Sequence, residues 1–348
     1  MTHCCRFPIL VLVASAFAGS LIMSGGCNPD AGAGGSSGSD SRSYIDMGTA
    51  PPGGAFSAVG DAIVATLNKH AADYGWELKK NGTKGTQQNI RMLEKGELQL
   101  GMSNAAIAWH ATRGEGMWDK QYRLRTVATL APNIGLFIAR KGSGIRTIAD
   151  LKGKRVATGP AGAGFETFLG PILTRHGVQY TAEEQDFTPV PATYTAAAQM
   201  LGDGDIDAAF MGGAIPIAAV VQATSTIDLE YLQFDNEILD QLIQEYPFFQ
   251  SATIPAKNKQ GKPTYKGLTE DLPTLNVGSM HLITHADVDE ETVYQLTKTL
   301  WENRSEVASQ HPAGNAINEQ NVVRFTGVDF HPGAIRFYKE IGIWPEAN

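Results

Sequence analysis

Met92-Leu93-Glu94-Lys95-Gly96-Glu97-Leu98-Gln99-Leu100-Gly101-Met102 and Met200-Leu201-Gly202-Asp203-Gly204-Asp205-Ile206-Asp207-Ala208-Ala209-Phe210 lie 108 residues apart and share one pattern. In each, an apolar pair closes a helix, a glycine with an acidic neighbour turns the chain, and alternating apolar residues open a strand. At an offset of 109, Pro51 falls on Pro160, Gly53 on Gly162, Phe56 on Phe165 and Ile63 on Ile172. Two nearly equal offsets in separate segments predict two lobes built on one βαβαβα plan.

The surrounding pattern agrees. Tyr44–Met47 reads as a strand, and a helix follows Gly53-Gly54 with Phe56, Val59, Ile63, Val64 and Leu67 on one face. Trp76–Lys80 reads as a second strand. Gly85-Thr86 opens a helix through Ile90 and Leu93, Leu98, Leu100 and Met102 alternate as a third strand, and Asn104 caps the next helix. Toward the end, Leu275–Val277 and His281–Ile283 read as strand, and Val293–Val307 as a long helix. With no third copy of the repeat, these last elements are expected to complete the first lobe. The expected crossings lie near Phe137–Lys141 and Ser251–Pro255, giving lobe one as 44–138 plus 252–348 and lobe two as 139–251.

The 348 residues are 43% hydrophobic and 18% charged, an ordinary globular composition, and their number suits two domains. The net charge is −8 and no run of Lys and Arg occurs, which argues against a nucleic-acid partner. Arg6 precedes an uncharged stretch, Phe7–Gly26, that reads as a secretory signal over residues 1–26, with a retained membrane anchor as the alternative. Ser24-Gly25-Gly26-Cys27 resembles the lipobox of bacterial lipoproteins, with Ser24 where Leu is usual, and would make Cys27 the lipidated residue. Residues 27–43, rich in Gly, Ser, Asp and Ala, read as a flexible tether. No Cys follows Cys27, so neither a disulfide nor a Cys-ligated metal is expected in the folded part.

Glycine-rich turns carry the candidate chemistry: Pro52-Gly53-Gly54, Lys84-Gly85-Thr86, Gly159-Pro160-Ala161-Gly162-Ala163-Gly164 and Met211-Gly212-Gly213. Each sits where a strand feeds a helix. The first N–H groups of a helix have no internal partner and its dipole favours negative charge there, so such turns suit an anion. Gly159–Gly164 has the order G-x-x-G-x-G, unlike the G-x-G-x-x-G dinucleotide fingerprint, and no Lys-Ser/Thr pair follows to make a phosphate loop.

Ala149-Asp150-Leu151-Lys152-Gly153-Lys154-Arg155-Val156 leading into Gly159–Gly164 resembles the TAXI-type binding proteins of tripartite (TRAP) transporters. Gly53-Gly54-Ala55-Phe56, Gly85-Thr86-Gln87-Gln88-Asn89, Ala252-Thr253-Ile254-Pro255 and His331-Pro332-Gly333-Ala334-Ile335-Arg336-Phe337-Tyr338 extend the likeness from about Tyr44 to Gly342. The resemblance implies an α/β, two-lobed periplasmic-binding-protein type II fold with a hinge. It also implies an extracytoplasmic, non-enzymatic receptor with no cofactor, and a small carboxylate such as glutamate or 2-oxoglutarate as ligand. A proton- or sodium-driven TRAP permease is the implied partner. The chain is expected to act as a monomer, touching the membrane only through its possible lipid anchor.

On this reading Gly53, Gly54, Ala55, Phe56, Lys84, Gly85 and Thr86 face the ligand from lobe one, and Asn104 supplies an amide. Gly162, Ala163, Gly164, Phe165, Gly212 and Gly213 close from lobe two. Three departures bear on the ligand. Phe56-Ser57 stands where the family often has two Tyr, Gly162-Ala163-Gly164 replaces Gly-Ser-Gly, and Asn104 stands where Gln is common. These departures point to a smaller or less polar ligand than glutamate.

Rival readings are a receptor for an ATP-driven transporter, a sensor, and a hydrolase using Ser103, since Gly101-Met102-Ser103-Asn104-Ala105 nearly makes a nucleophile elbow. His281 and His285 have the spacing of a helical zinc pair, but the residues between them read as strand.

Overall fold

A computed structural model describes residues 43–51, 55–72, 74–181, 183–258 and 260–345. The signal and tether stretches, Cys27, Gly53 and Gly54 lie outside the described residues.

The first strands and helices alternate as their periodicity dictates: β1 (Ser43–Gly48), α1 (Ala55–Lys69), β2 (Trp76–Asn81), α2 (Thr86–Glu94), β3 (Leu100–Asn104), α3 (Ala105–Arg113) and β4 (Leu124–Thr129). β1 pairs in parallel with β2 and β3. Helix α1 buries Val59, Ile63 and Leu67 on this sheet, each apolar side chain contributing about 1.5–3 kcal/mol. On the other face, Ile90 and Leu93 of α2 meet Ile107 and Ala111 of α3.

The second half repeats the plan: β5 (Ile134–Arg140), β6 (Arg155–Gly159), α4 (Glu166–Arg175), β7 (Thr188–Pro191), α5 (Tyr194–Asp203), β8 (Ala208–Gly213), α6 (Ala218–Thr226), β9 (Leu229–Leu232) and α7 (Asn236–Glu245). β6 pairs in parallel with β7 and β8, as β1 does with β2 and β3. The 149–156 segment enters β6 through a single 3-10 turn at Ile148–Leu151, boxed at its start by Thr147 and Asp150.

The remainder comprises β10 (Phe249–Ile254), β11 (Leu272–Val277), β12 (Met280–His285), α8 (Glu290–Glu302), α9 (Arg304–Gln310) and α10 (Pro332–Glu340). One sheet has the order β2-β1-β3-β12-β4; the other is β10-β11-β5-β8-β6-β7, with β9 also on β5. This is the two-lobed α/β architecture of type II periplasmic binding proteins.

The crossings differ from expectation. The chain leaves the first sheet after Thr129, enters the second at Ile134, and returns between Val277 and Met280. Phe137–Lys141 overlaps β5 and Ser251–Pro255 overlaps β10, both strands of the second sheet. The reason is the β10–β11 hairpin, which pairs Phe249 with Val277 through Ile254 with Leu272 and keeps the chain in the second lobe. β11 and β12 are separated by only Gly278-Ser279, a spacing that normally signals a hairpin. Here it carries the chain between sheets.

Both crossings run side by side. Leu130 donates to Met280 O (2.7 Å), Met280 to Ala131 O (2.8 Å) and Val277 to Asn133 O (2.8 Å). Asn276, almost fully buried, accepts from Asn133 N at 3.0 Å and donates to Ser279 Oγ at 2.8 Å. The expected 293–307 helix is broken at Asn303 into α8 and α9.

Candidate functional site

The carboxyl ends of β1, β2 and β3 meet at a small network of polar side chains. Asn89, wholly buried on α2, donates to Thr49 O and Met102 O, both at 2.8 Å, so one amide ties the ends of β1 and β3. Thr83 donates to Asn89 Oδ1 (2.7 Å) and accepts from Gly85 N (3.1 Å). Gly85 caps α2 with no side-chain hydrogen bond. Among the described residues no acceptor reaches the N–H groups of Thr86, Gln87 or Gln88. Lys84 is exposed.

Thr86 and Asn104 are brought together: the Asn104 N–H donates to Thr86 Oγ1 at 3.1 Å. The Asn104 amide is fully engaged elsewhere. Its Oδ1 accepts from Ala106 N (2.9 Å) and Ile107 N (3.4 Å), capping α3, and its Nδ2 donates to Gly278 O (2.9 Å) and Val277 O (3.4 Å). It is a helix cap and a latch on the returning crossing. Ala55 and Phe56 begin α1, half-buried against the first-lobe core.

In the second lobe the loop from Gly159 to Phe165 passes β6 to α4. Gly159 has φ +102°, and a Cβ there would lie 2.2 Å from Phe165 Cδ2, so only glycine allows the ring to fold back on the strand end. Phe165 thereby packs on Phe168 (5.1 Å between ring centres) and near Tyr194 (6.0 Å). It caps α4 without a side-chain bond, and Gly164, Phe165 and Glu166 have N–H groups with no acceptor among the described residues. Gly162 is exposed and Ala163 half-buried.

The lobes touch beside this loop, where a Cβ on Gly164 would lie 3.1 Å from Ile107 Cδ1 of α3. At the end of β8, Gly212 lies against Asn133 of the first crossing, and Gly213 pairs with Ile134. A Cβ on Gly212 would lie 2.8 Å from Tyr194 Oη and 3.0 Å from Asn133 Oδ1.

The glycine-rich turns, the start of α4 and the first crossing contain one basic residue, Lys84, and one acidic residue, Glu166, both exposed. Burial pushes the Tyr194 phenol well above its ordinary pKa, so it is neutral. What these turns offer is therefore main-chain N–H groups, hydroxyls and amides.

The structure sets Thr86 against Asn104, Phe165 and Gly212 near Tyr194, and Gly164 against Ile107 of α3. The sequence reading missed Asn133, Tyr194 and Thr83. A polar residue after Pro132 and just ahead of a strand was the signal for Asn133, obscured because the crossing was placed further on.

Ser103 is wholly buried and donates to Asn104 O at 3.1 Å. His281 pairs opposite it across β3 and β12 and bonds Thr326 through Nε2; burial lowers its pKa to about 3. Ser103 and His281 share no hydrogen bond, so this geometry does not activate a nucleophile. His285 pairs with Glu94 (3.4 Å), and no metal-like cluster occurs among the described residues.

Two surface clefts, of about 530 and 460 Å³, lie elsewhere. Arg113, Arg123 and Arg125 line the first, and Phe325, Phe330 and Trp344 the second. Neither contains an expected site residue.

Among solved structures, PhnD1 from Prochlorococcus marinus, in complex with methylphosphonate, matches with a TM-score of 0.51 at 12% identity, over 86% of this chain and 95% of that one. The periplasmic aliphatic sulphonate binding protein SsuA from Escherichia coli matches at 16% identity and TM-score 0.44, over 87% of this chain and 84% of that one. The first likeness supports the fold. No described helix is long and apolar enough to cross a membrane. The NMT1-like family matches residues 47–342, nearly the whole folded body, and the chain belongs to that family.

Proposed function

We propose that this chain is an extracytoplasmic solute-binding protein that captures a small anion between its lobes and delivers it to a membrane transporter. Two helix N-termini support the reading, α2 in lobe one and α4 in lobe two: their first N–H groups have no acceptor among the described residues, and on this proposal both face one solute. Such an end contributes roughly 0.3–1 kcal/mol toward an anion when exposed and about 2 when partly buried. Contacts from both lobes favour the closed form, so binding shifts an open–closed equilibrium that the transporter reads.

The resemblance to TAXI-type proteins makes a TRAP permease the proposed partner and a small carboxylate, such as glutamate or 2-oxoglutarate, the proposed solute. Gly53 and Gly54 join the site on that proposal, as do Gly85, Thr86, Gly162–Phe165 and Gly212-Gly213. The proposed lobes are 43–131 with 279–345, and 132–278, with Cys27 as a lipid tether after signal cleavage. A second reading follows from the methylphosphonate carried by PhnD1: a phosphonate or sulfonate would use the same N–H groups, with an ATP-driven transporter as partner.

A thermal-shift screen of the purified protein against carboxylates, phosphonates, sulfonates, amino acids and sugars tests both. A solute at a thousand times its Kd adds about 4.1 kcal/mol, a shift of several degrees. A selective carboxylate response supports the first reading and a selective phosphonate or sulfonate response the second. A response to sugars alone removes the anion argument.

A further inference from the structure

Helix α3 lays Ala105 and Ala106 into the second-lobe core beside Phe248 and Phe249, with Trp109 packed against the same cluster. The next residue, His110, puts its ring 5.8 Å from that of Phe248 and 4.7 Å from that of Trp109, centre to centre. Its side chain is 15% exposed, and both ring nitrogens are buried with no hydrogen-bond partner among the described residues. Buried polar groups are ordinarily paired, and leaving one unpaired is unfavourable. Packing alone would be served better by an apolar ring.

What the site adds is a carboxylate just out of reach. Glu115 Oε2 lies 3.5 Å from His110 Nδ1 without making a hydrogen bond, and the Glu115 side chain is exposed. Glu115 also accepts from Arg113 Nε at 2.8 Å. Across the contact Glu245 pairs with Arg175, and Asp329 borders the cleft shared by Trp109, Arg113 and Glu115. Burial is the main influence on the imidazole and lowers its pKa; Glu115 raises it and Arg113 lowers it further. The neutral ring therefore belongs to the arrangement in which α3 sits on the second lobe and Ile107 meets Gly164. A ring freed from Phe248 regains water, and its pKa returns toward 6.5. Below that value protons favour the freed ring, by up to about tenfold per pH unit until the seated ring protonates too.

Resting on the solute-binding reading above, we propose that His110 is a proton-operated latch between the lobes. Neutral, it seats α3 beside Phe248 and holds the lobes in contact. Protonated, it turns to Glu115 and the contact loosens. Acid then shifts the chain toward the open form and promotes release of the solute.

Small-angle scattering of the solute-free full chain between pH 7.5 and 5.5 tests this, with circular dichroism to follow folding. The radius of gyration is expected to rise as the pH falls and to recover on return. His110→Phe keeps the packing without the titration and is expected to hold the radius of pH 7.5 throughout. Glu115→Gln removes the partner of the protonated ring and is expected to move the transition down by about half a pH unit.

Equal radii across the range in the folded wild-type chain overturn the proposal, as does the same rise in His110→Phe. Should that variant not fold, an unchanged midpoint in Glu115→Gln overturns it. No solute enters this experiment, so the two readings fail separately. A thermal-shift screen without a response removes the receptor reading, and a radius that ignores pH removes the latch alone.

Discussion

Asn104 shows how one side chain's bookkeeping separates a structural role from a binding role. Its acceptor caps α3 and its donors hold Val277 O and Gly278 O, so nothing remains for a solute. Gly278 is glycine for the same reason, since a Cβ there would lie 2.5 Å from Asn104 Oδ1. Asn104→Ala is expected to cost about 2 kcal/mol in urea unfolding, a lost cap plus an unlatched crossing. It should leave solute affinity within about threefold, a difference under 1 kcal/mol. A hundredfold loss of affinity in a fully folded variant would assign the amide to the ligand instead. At this scale the glycine turns and Thr86 were legible because strand-to-helix turns announce themselves in composition. Asn133 was not, since a lone amide acquires meaning only when a second segment is brought against it.

Helix α3 follows a strand of the first sheet but packs on both lobes. Trp109 lies 5.4 Å from the Phe248 ring and 6.0 Å from Tyr246, on the segment joining α7 to β10. Gly327 also closes on it, where a Cβ would lie 2.2 Å from Trp109 Cδ1. The helix is thus a wedge shared by the two lobes, and its first turn carries the Ile107 that meets Gly164. Trp109→Ala is expected to destabilise the chain by about 3 kcal/mol. It should also raise the radius of gyration of the solute-free protein in small-angle scattering, because the lobes lose a shared anchor. An unchanged radius with the same destabilisation would make Trp109 ordinary core. The repeat made most elements readable, because each half buries the same faces in the same order. The β10–β11 hairpin was not readable, since it has no counterpart in the first half. The two-residue link at Gly278-Ser279 carries local information that favours a hairpin, and only tertiary pairing decides otherwise.

The response of the whole molecule to acid follows from its histidines. Burial lowers the pKa of His110, His176, His281 and His331, with His281 the deepest at about 3. In the unfolded chain each titrates near 6.5. Between those values the unfolded state binds protons that the folded state refuses. Stability is therefore fully present above about pH 6.5 and falls as the pH drops, by about 1.4 kcal/mol per pH unit for each histidine held neutral. For His281 the loss runs down to about pH 3, where the folded form also protonates. Carboxylates whose pKa is depressed by hydrogen bonds and ion pairs, such as Asp207 beside Arg155, act in the same sense but only below their unfolded pKa near 4. The window from pH 6.5 to 4.5 thus isolates the histidines. His281→Gln, which keeps a polar group within reach of Thr326, is expected to flatten the urea-unfolding free energy across that window by about 1.4 kcal/mol per pH unit, whatever its stability at neutral pH. Parallel curves for the variant and the wild-type chain would mean that His281 protonates in the folded state as readily as in water. The orphaned Nδ1 inside the first sheet would then need a proton acceptor of its own.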